Sequence, residues 1–157
     1  MSNEVTGLSG YVHAILKDKY GFVKEEREGP NVIVHKGRED TVRLLASVTP
    51  PTAFQWVAIG TGAVAATTLD ATLGTELTAL GGGKYIGART ITTQTSANDT
   101  AQYVTMWTFS GTTTVSESGI FNNATASTGD MLCLQVFTGI PVQNGDILTI
   151  TWLIKAT

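Results

Sequence analysis

The sequence predicts a mainly β protein: an antiparallel β-sandwich, with a jelly roll as its expected form, and a short N-terminal hairpin and helix segment. Three observations predict it. Apolar and polar residues alternate with period two in several stretches, as half-buried strands require. Those stretches recur at roughly ten-residue spacing with glycine turns between them, the rhythm of sandwiches and barrels. The chain beyond residue 50 is also crowded with Thr, whose branched Cβ suits a pleated strand.

Each element has its own signal. "GYVHAILKDKYGFVKEERE" reads as two short strands around a turn near Lys17–Tyr20, and "GPNVIVHKG" holds a brief strand at Val32–Val34. "REDTVRLLAS" is the best helix: Glu39 and Asp40 suit its N-terminal end, and Val42, Leu45 and Ala46 share a face. Pro50-Pro51 closes it by forcing extended backbone. "AFQWVAIG" is a strand, and "TTLDATLGTELT" is a short helix or an extended loop. "GGGKYIGARTITTQTS" continues after its glycines as a strand through Tyr85, Ile86, Arg89 and Ile91. "AQYVTMWTFSG" sets Tyr103, Thr105, Trp107 and Phe109 on one face, with Val104, Met106 and Thr108 on the other. "VSESGIF" is a short strand, "NNATASTGD" a loop, and "MLCLQVFTGIPV" a strand ending at Pro141. Asn144-Gly145 readily adopts the positive φ angles of a tight hairpin. "ILTITWLIKA" closes the chain. It is apolar on both faces, so it is expected to be central or covered by a partner chain.

A length of 157 residues fits one domain, or one domain with an appendage. Residues 1–50 hold seven Lys/Arg and seven Asp/Glu, whereas residues 51–157 hold three and six. The boundary falls near "VTPPTAF". It divides a charged N-terminal arm with hairpin and short helix (1–50) from a Thr/Gly-rich β-sandwich (51–157). An uncharged polar surface suits permanent contact with neighbouring subunits, because charge is depleted at interface cores. The net charge of -3 offers no electrostatic reason for a nucleic-acid partner. No apolar run approaches the roughly 20 residues of a membrane span, and "MSNEVTGLSG" lacks the features of a secretory signal, so a soluble chain is expected. Cys133 is the sole cysteine; within "MLCLQVF" it reads as a small buried hydrophobe.

Candidate chemistry is thin. Gly60-Thr61-Gly62 in "GTGAVA" nominally matches a dinucleotide fingerprint, but that fingerprint needs a βαβ unit and an acid about twenty residues on. Asp70 comes too soon, Glu76 has no apolar strand before it, and β-rich sequence follows. A loop leaving a strand is the default. Lys84 after three glycines lacks the Ser or Thr of a phosphate loop. His13 and His35 would need help from Glu25 or Glu39 to hold a metal, and no ligand spacing supports that. Glu117 in "VSESGIF" is the most interesting lone carboxylate. It is weighed as half of a glycosidase pair with Asp99 or Asp130, or as a structural acid bonding a turn's backbone amides or Arg89. The structural role is preferred. Trp56, Trp107 and Trp152 invite a carbohydrate-stacking reading, yet Trp107 and Trp152 sit in apolar strands that suit a core. No catalytic, cofactor-binding or metal-binding residue is expected, and the chain is not expected to be an enzyme.

An ordered series remains: "WVAIGTG", "LDATLGTEL", an aromatic-rich strand, "VSESGIF", "GDMLCLQVF" and "IPVQNGDILTITWLI". From about Trp56 to Ile154 it resembles small virion structural proteins of tailed bacteriophages, of the capsid decoration (cement) or tail-fibre-like kind. "NVIVHKGREDTVRLLAS" extends the resemblance back to about Asn31. The resemblance implies a β-sandwich that assembles on the outer surface of the virion as a homo-oligomer, usually a trimer, with no catalysis or cofactor. It implies the major capsid protein as partner, with no nucleic acid and no membrane. The charged residues 1–50 would reach the capsid or an adjacent subunit, and the Thr/Gly-rich part would form the knob. A tail-fibre or receptor-binding module recognising a host-surface glycan is the alternative. Within the resemblance, Glu117, Gly119 and Phe121 match a recurring acid-Gly-aromatic pattern, where a structural role is the natural one. The sequence departs at residue 78: such proteins often carry an Arg soon after "GTEL", whereas "TALGGGK" follows here, which puts in doubt any buried salt bridge that the resemblance would carry over to this site.

Overall fold

The computed structural model describes residues 7–157; the start of the chain, read above as lacking a signal, lies outside the described residues up to Thr6. The elements in order are β1 (Leu8–Lys17), β2 (Val23–Pro30), β3 (Val32–Ile33), α1 (His35–Ala46), β4 (Trp56–Gly60), β5 (Tyr85–Ile86), β6 (Ala88–Thr92), β7 (Thr100–Thr108), β8 (Thr113–Phe121), β9 (Met131–Val142) and β10 (Ile147–Ala156). They form two five-stranded antiparallel sheets, a β-sandwich as the alternation predicts. The first sheet runs β2-β1-β10-β7-β6 and the second β3-β9-β8-β4-β5. Pairing of the first strand with the last, and of β3 with β9, nests the chain as a jelly roll does. The β6–β7 and β8–β9 pairs are instead local hairpins within one sheet.

The core lies between the sheets. Alternate residues of β1 (Val12, Ala14, Leu16) and β10 (Leu148, Ile150, Trp152, Ile154) face Val57, Ile59, Val115, Ile120 and Cys133 of the second sheet. β10 is central, flanked by β1 and β7. Its other face, with Thr149 and Leu153, stays half-exposed. The second sheet is buried on both faces, because Val34 and the segment between β4 and β5, with Ala66 and Leu73, cover its outer side over Ala58, Phe121, Met131 and Leu134. That double burial makes every residue of "VSESGIF" inaccessible.

The compositional boundary at Pro50-Pro51 is not a packing boundary. β1 pairs with β10 from Leu8↔Ala156 to Lys17↔Ile147, and its apolar face enters the common core. The β1–β2 turn falls one step after its expected place: the Asp18 carboxylate accepts the Tyr20 and Phe22 N–H groups, and Gly21 takes φ 92°.

Two expectations are corrected, and one open alternative is decided. The helix begins at His35, three residues early, so Glu39 and Asp40 occupy its second turn. Its buried face is Gly37 and Asp40, with Leu44 packed on the core, while Val42 and Leu45 are 63% and 82% exposed. Gly37 decides this: a Cβ there would lie 2.7 Å from the Leu132 Cα, so only glycine lets the helix backbone rest on β9. The expected single strand through Tyr85 to Ile91 breaks at Gly87, with β5 in one sheet and β6 in the other. There the Gly87 N–H donates to the Gln55 carbonyl at 3.0 Å, one step beyond the Trp56↔Ile86 pair of β4 and β5, and the next residue joins the other sheet. "TTLDATLGTELT" takes the loop alternative, not the helix: it is irregular apart from a bridge between Gly60 and Glu76.

Candidate functional site

The densest polar arrangement centres on Glu117. β8 carries it on the outer face of the second sheet, directly opposite Gly60 of β4. The loops leaving β4 and approaching Glu76 close over it, leaving it 1% exposed. Its carboxylate accepts three backbone N–H groups: Gly62 at 2.9 Å and Thr75 at 2.8 Å on Oε1, and Gly74 at 2.8 Å on Oε2. Ser116 beside it donates to the Gly62 carbonyl at 2.8 Å. Ser118 donates to the Ala58 carbonyl at 2.8 Å and accepts the Trp152 indole N–H. A Cβ on Gly62 would meet Oε1 at 2.6 Å, so the glycine serves close approach.

The glycine turn does bind an anion, but the anion is the chain's own carboxylate. Backbone N–H groups converging on an oxyanion are what a phosphate loop also uses; here all three are occupied from within. Such an acid is held as an acceptor-only tie, with no proton donor or nucleophilic face turned to solvent. Of the two structural partners considered for Glu117, the turn amides hold it and Arg89 does not. A cavity of about 390 Å³ under residues 64–74 touches Glu117 at its base.

A second buried ion sits nearby. Lys84, expected as part of a glycine loop, has its side chain fully buried; Nζ donates to the carbonyls of Thr125 (3.0 Å) and Thr128 (2.7 Å). It lies 3.9 Å from Glu76 Oε2 and 3.9 Å from the centre of the Phe121 ring. Burial lowers its pKa, and the Glu76 charge opposes that shift. Glu76 also accepts the Ser127 N–H at 2.8 Å. Lys84 thus supplies the cation for Glu76 of "GTEL". The signal was in the composition, since residues 51–157 hold only three cations. The pair clasps the 122–130 loop onto the second sheet.

A third group was missed. Asp40 of α1 is fully buried, with Oδ1 3.3 Å from Lys36 Nζ and 3.2 Å from Arg43 Nη1, while Oδ2 has no donor. Asp130, just before β9, is the carboxyl group that faces Asp40. Its own pKa is raised by burial first, then by the Asp40 carboxylate beside it; Lys36 and Asn122 oppose. No period-based pattern shows this, because Asp40 reads as an ordinary helix acid.

The remaining candidates disperse. Asp99 caps its own loop, accepting the N–H groups of Ser96, Gln94 and Thr95 and the Thr100 hydroxyl. Those bonds hold its carboxyl well below the usual carboxylate range. Neither Asp99 nor Asp130 shares a bonding partner with Glu117. His13 pairs with Glu26 on the β1–β2 hairpin, while His35 opens α1. Among the described residues no three His, Cys, Asp or Glu side chains are grouped to hold a metal ion. Trp107 and Trp152 are buried in the core and Trp56 is half-buried. Cys133 is fully buried, which pushes its thiol up. No described helix is long and apolar enough to cross a membrane. No family model matches the chain, and neither a curated protein nor a solved structure matches it.

Proposed function

We propose that the chain is a structural protein of a bacteriophage virion, an outer capsid decoration protein that binds the major capsid protein and braces adjacent capsid subunits. One observation carries the proposal. The residues of the ordered series lock onto one another: Glu117 of "VSESGIF" holds Gly62 of "WVAIGTG" and Gly74-Thr75 of "LDATLGTEL". Mutual ties of this kind suit a scaffold, and the acid is consumed in holding loops together. The work of such a protein is mechanical, area buried against neighbours resisting the pressure of packaged DNA. Purified chain added to undecorated heads should bind them in many copies and raise their resistance to heat; heads that bind none would sink the proposal.

A second reading, a tail-fibre or receptor-binding module for a host-surface glycan, draws on one feature. Tyr20 and Phe22 stand 74% and 71% exposed at the β1–β2 tip, where Tyr20 borders a cavity of about 330 Å³ shared with Asn144 and Asp146. Aromatic faces beside polar groups are what sugar rings stack on. With Trp107 and Trp152 in the core, Tyr20 is the ring to test: selective glycan binding abolished by Tyr20→Ala would place this reading first.

A further inference from the structure

A sheet ends in two strands whose outward N–H and C=O groups lack a strand neighbour, and proteins guard such strands with charge, proline, register breaks or brevity. The end strands here are β2 and β6 in the first sheet, β3 and β5 in the second. Three of the four are guarded. β3 and β5 are two residues long. β2 carries an unbroken charged run from Lys24 to Glu28, ends at Pro30, and shifts register against β1 at Leu16/Lys17. Inner strands that outrun their neighbours are covered as well. Backbone bonds from Thr61 to Thr75 and from Leu77 to Ile59 close the end of β4, and Arg27 donates to the Thr138 carbonyl of β9.

β6 has none of these devices. Its five residues, Ala88–Thr92, make a strand of ordinary length and pair with β7 without a register shift, from Ala88↔Val104 to Thr92↔Thr100. It holds no proline and no acid, and its one charge is Arg89. Thr90, Ile91 and Thr92 are β-branched, which favours extended backbone. Every second residue of such a strand turns its N–H and C=O away from the neighbour it already has. Among the described residues, the backbone of 88–92 makes no backbone bond beyond the β7 ladder. Ile91 is 64% exposed, and Arg89, on the same side of the strand, is exposed too.

We propose that β6 pairs antiparallel with β6 of a second copy of this chain, joining the two first sheets into one continuous sheet. A bare edge accepts a strand, because main-chain groups supply the recognition. Two features select a second copy as that strand. The stretch is self-complementary: with a two-fold axis at Thr90 all five residues pair, Thr90 meeting itself, Ala88 meeting Thr92, and Arg89 meeting Ile91. The apolar stem of Arg89 then lies along Ile91 of the other copy, while its guanidinium stays in water. An axis at Arg89 would set like charges opposite each other and leave residues unpaired. Closure is the second feature. With one bare edge per chain, the joined sheet ends on two charged β2 strands and grows no further. A five-residue ladder is short, so the association is reversible and concentration-dependent. Nothing in this pairing depends on the virion assignment, and its symmetry is two-fold where the resemblance implies a trimer.

Sedimentation equilibrium of the full chain tests it: the mass should move from one chain to two as concentration rises. Ile91→Lys sets a second cation against Arg89 at an exposed position. It should weaken association at least tenfold while far-ultraviolet circular dichroism stays that of the wild type; Leu45→Lys on α1 should leave association unchanged. Thr90→Cys supplies a measurement independent of that variant. Residues opposite each other in an antiparallel pair have Cα atoms about 5 Å apart, within disulfide range. Mild oxidation should therefore link Thr90→Cys to its own copy, whereas Leu45→Cys should stay unlinked; Cys133 is fully buried and does not interfere. Amide exchange within 88–92 should also slow as concentration rises. A wild type that is monomeric at every concentration, a trimer, a dimer indifferent to Ile91→Lys, or no disulfide at Thr90→Cys would each overturn the proposal. Protection of 88–92 that appears only when undecorated heads are added would give the edge to a strand of another protein and overturn self-pairing.

Discussion

The Glu117 carboxylate accepts the Gly62 backbone N–H at 2.9 Å across 55 residues of sequence. Two further amides, Gly74 and Thr75, complete the cradle from 43 and 42 residues away. Glu117→Gln keeps one acceptor and turns a donor toward an N–H group, and Glu117→Ala leaves three buried amides without a partner. Hydrogen bonds to a charged group contribute about 1.5–3 kcal/mol each, and a buried orphan costs about 1–3. Each substitution should therefore lower stability by about 3 kcal/mol in urea titrations. Each kcal/mol moves the thermal midpoint by about 2–4 °C at this size. Gly62→Ala, which presses a methyl onto Oε1, should behave alike. A loss below about 1 kcal/mol for Glu117→Ala would contradict the cradle.

Lys84→Met removes the cation paired with Glu76 and releases the carbonyls of Thr125 and Thr128. Breaking one partner of a buried pair costs about 3–5 kcal/mol, and the apolar replacement of both is far milder. The double variant Lys84→Met with Glu76→Gln should thus be more stable than Lys84→Met alone. Additive losses in the double-mutant cycle would show that the two groups act separately.

Asp130 gives a pH dependence. Burial and the Asp40 carboxylate raise its pKa above the ordinary 3.8. A raised folded-state pKa contributes stability that is complete below the unfolded value and lost as pH rises through the folded one. Lys36, Arg43 and Glu39 of α1 and Asn122 face the same pair. Amide-exchange protection of α1 should therefore decline as pH rises above the ordinary carboxylate range. Asp130→Asn, whose amide does not titrate, should flatten that profile; an unchanged slope in the variant would refute the assignment to Asp130.

The helix orientation is testable on its two faces. Val42→Gln and Leu45→Gln should change stability by less than about 0.5 kcal/mol, as exposed positions do. Gly37→Ala forces backbone apart from Leu132 and should cost about 1–3 kcal/mol. The reverse order, measured by thermal unfolding, would restore the face that periodicity suggested.

Much of the sandwich was legible because strand period is local: the alternation of Tyr103 to Phe109 and of Ile147 to Ile154 reports which side chains meet the core within one strand. The helix face was misread because a twelve-residue segment with mixed polarity has two stripes of similar strength, and a single contact, Gly37 on Leu132, chose between them. The break at Gly87 was hidden for a related reason: apolar residues continue through it, and only the competing sheets reveal that the chain changes partner.

The sequence by itself determined the fold class and offered a central place for β10 as one of two alternatives, since composition, period and turn residues act over a few positions. Tertiary structure alone decided what Gly60-Thr61-Gly62, Glu76, Lys84 and Asp40 do. Each of these finds its partner through a buried ion or carboxylate, most of them across tens of residues. A charge left in a low-dielectric interior must be matched wherever the chain brings a donor, and sequence spacing carries no record of that meeting.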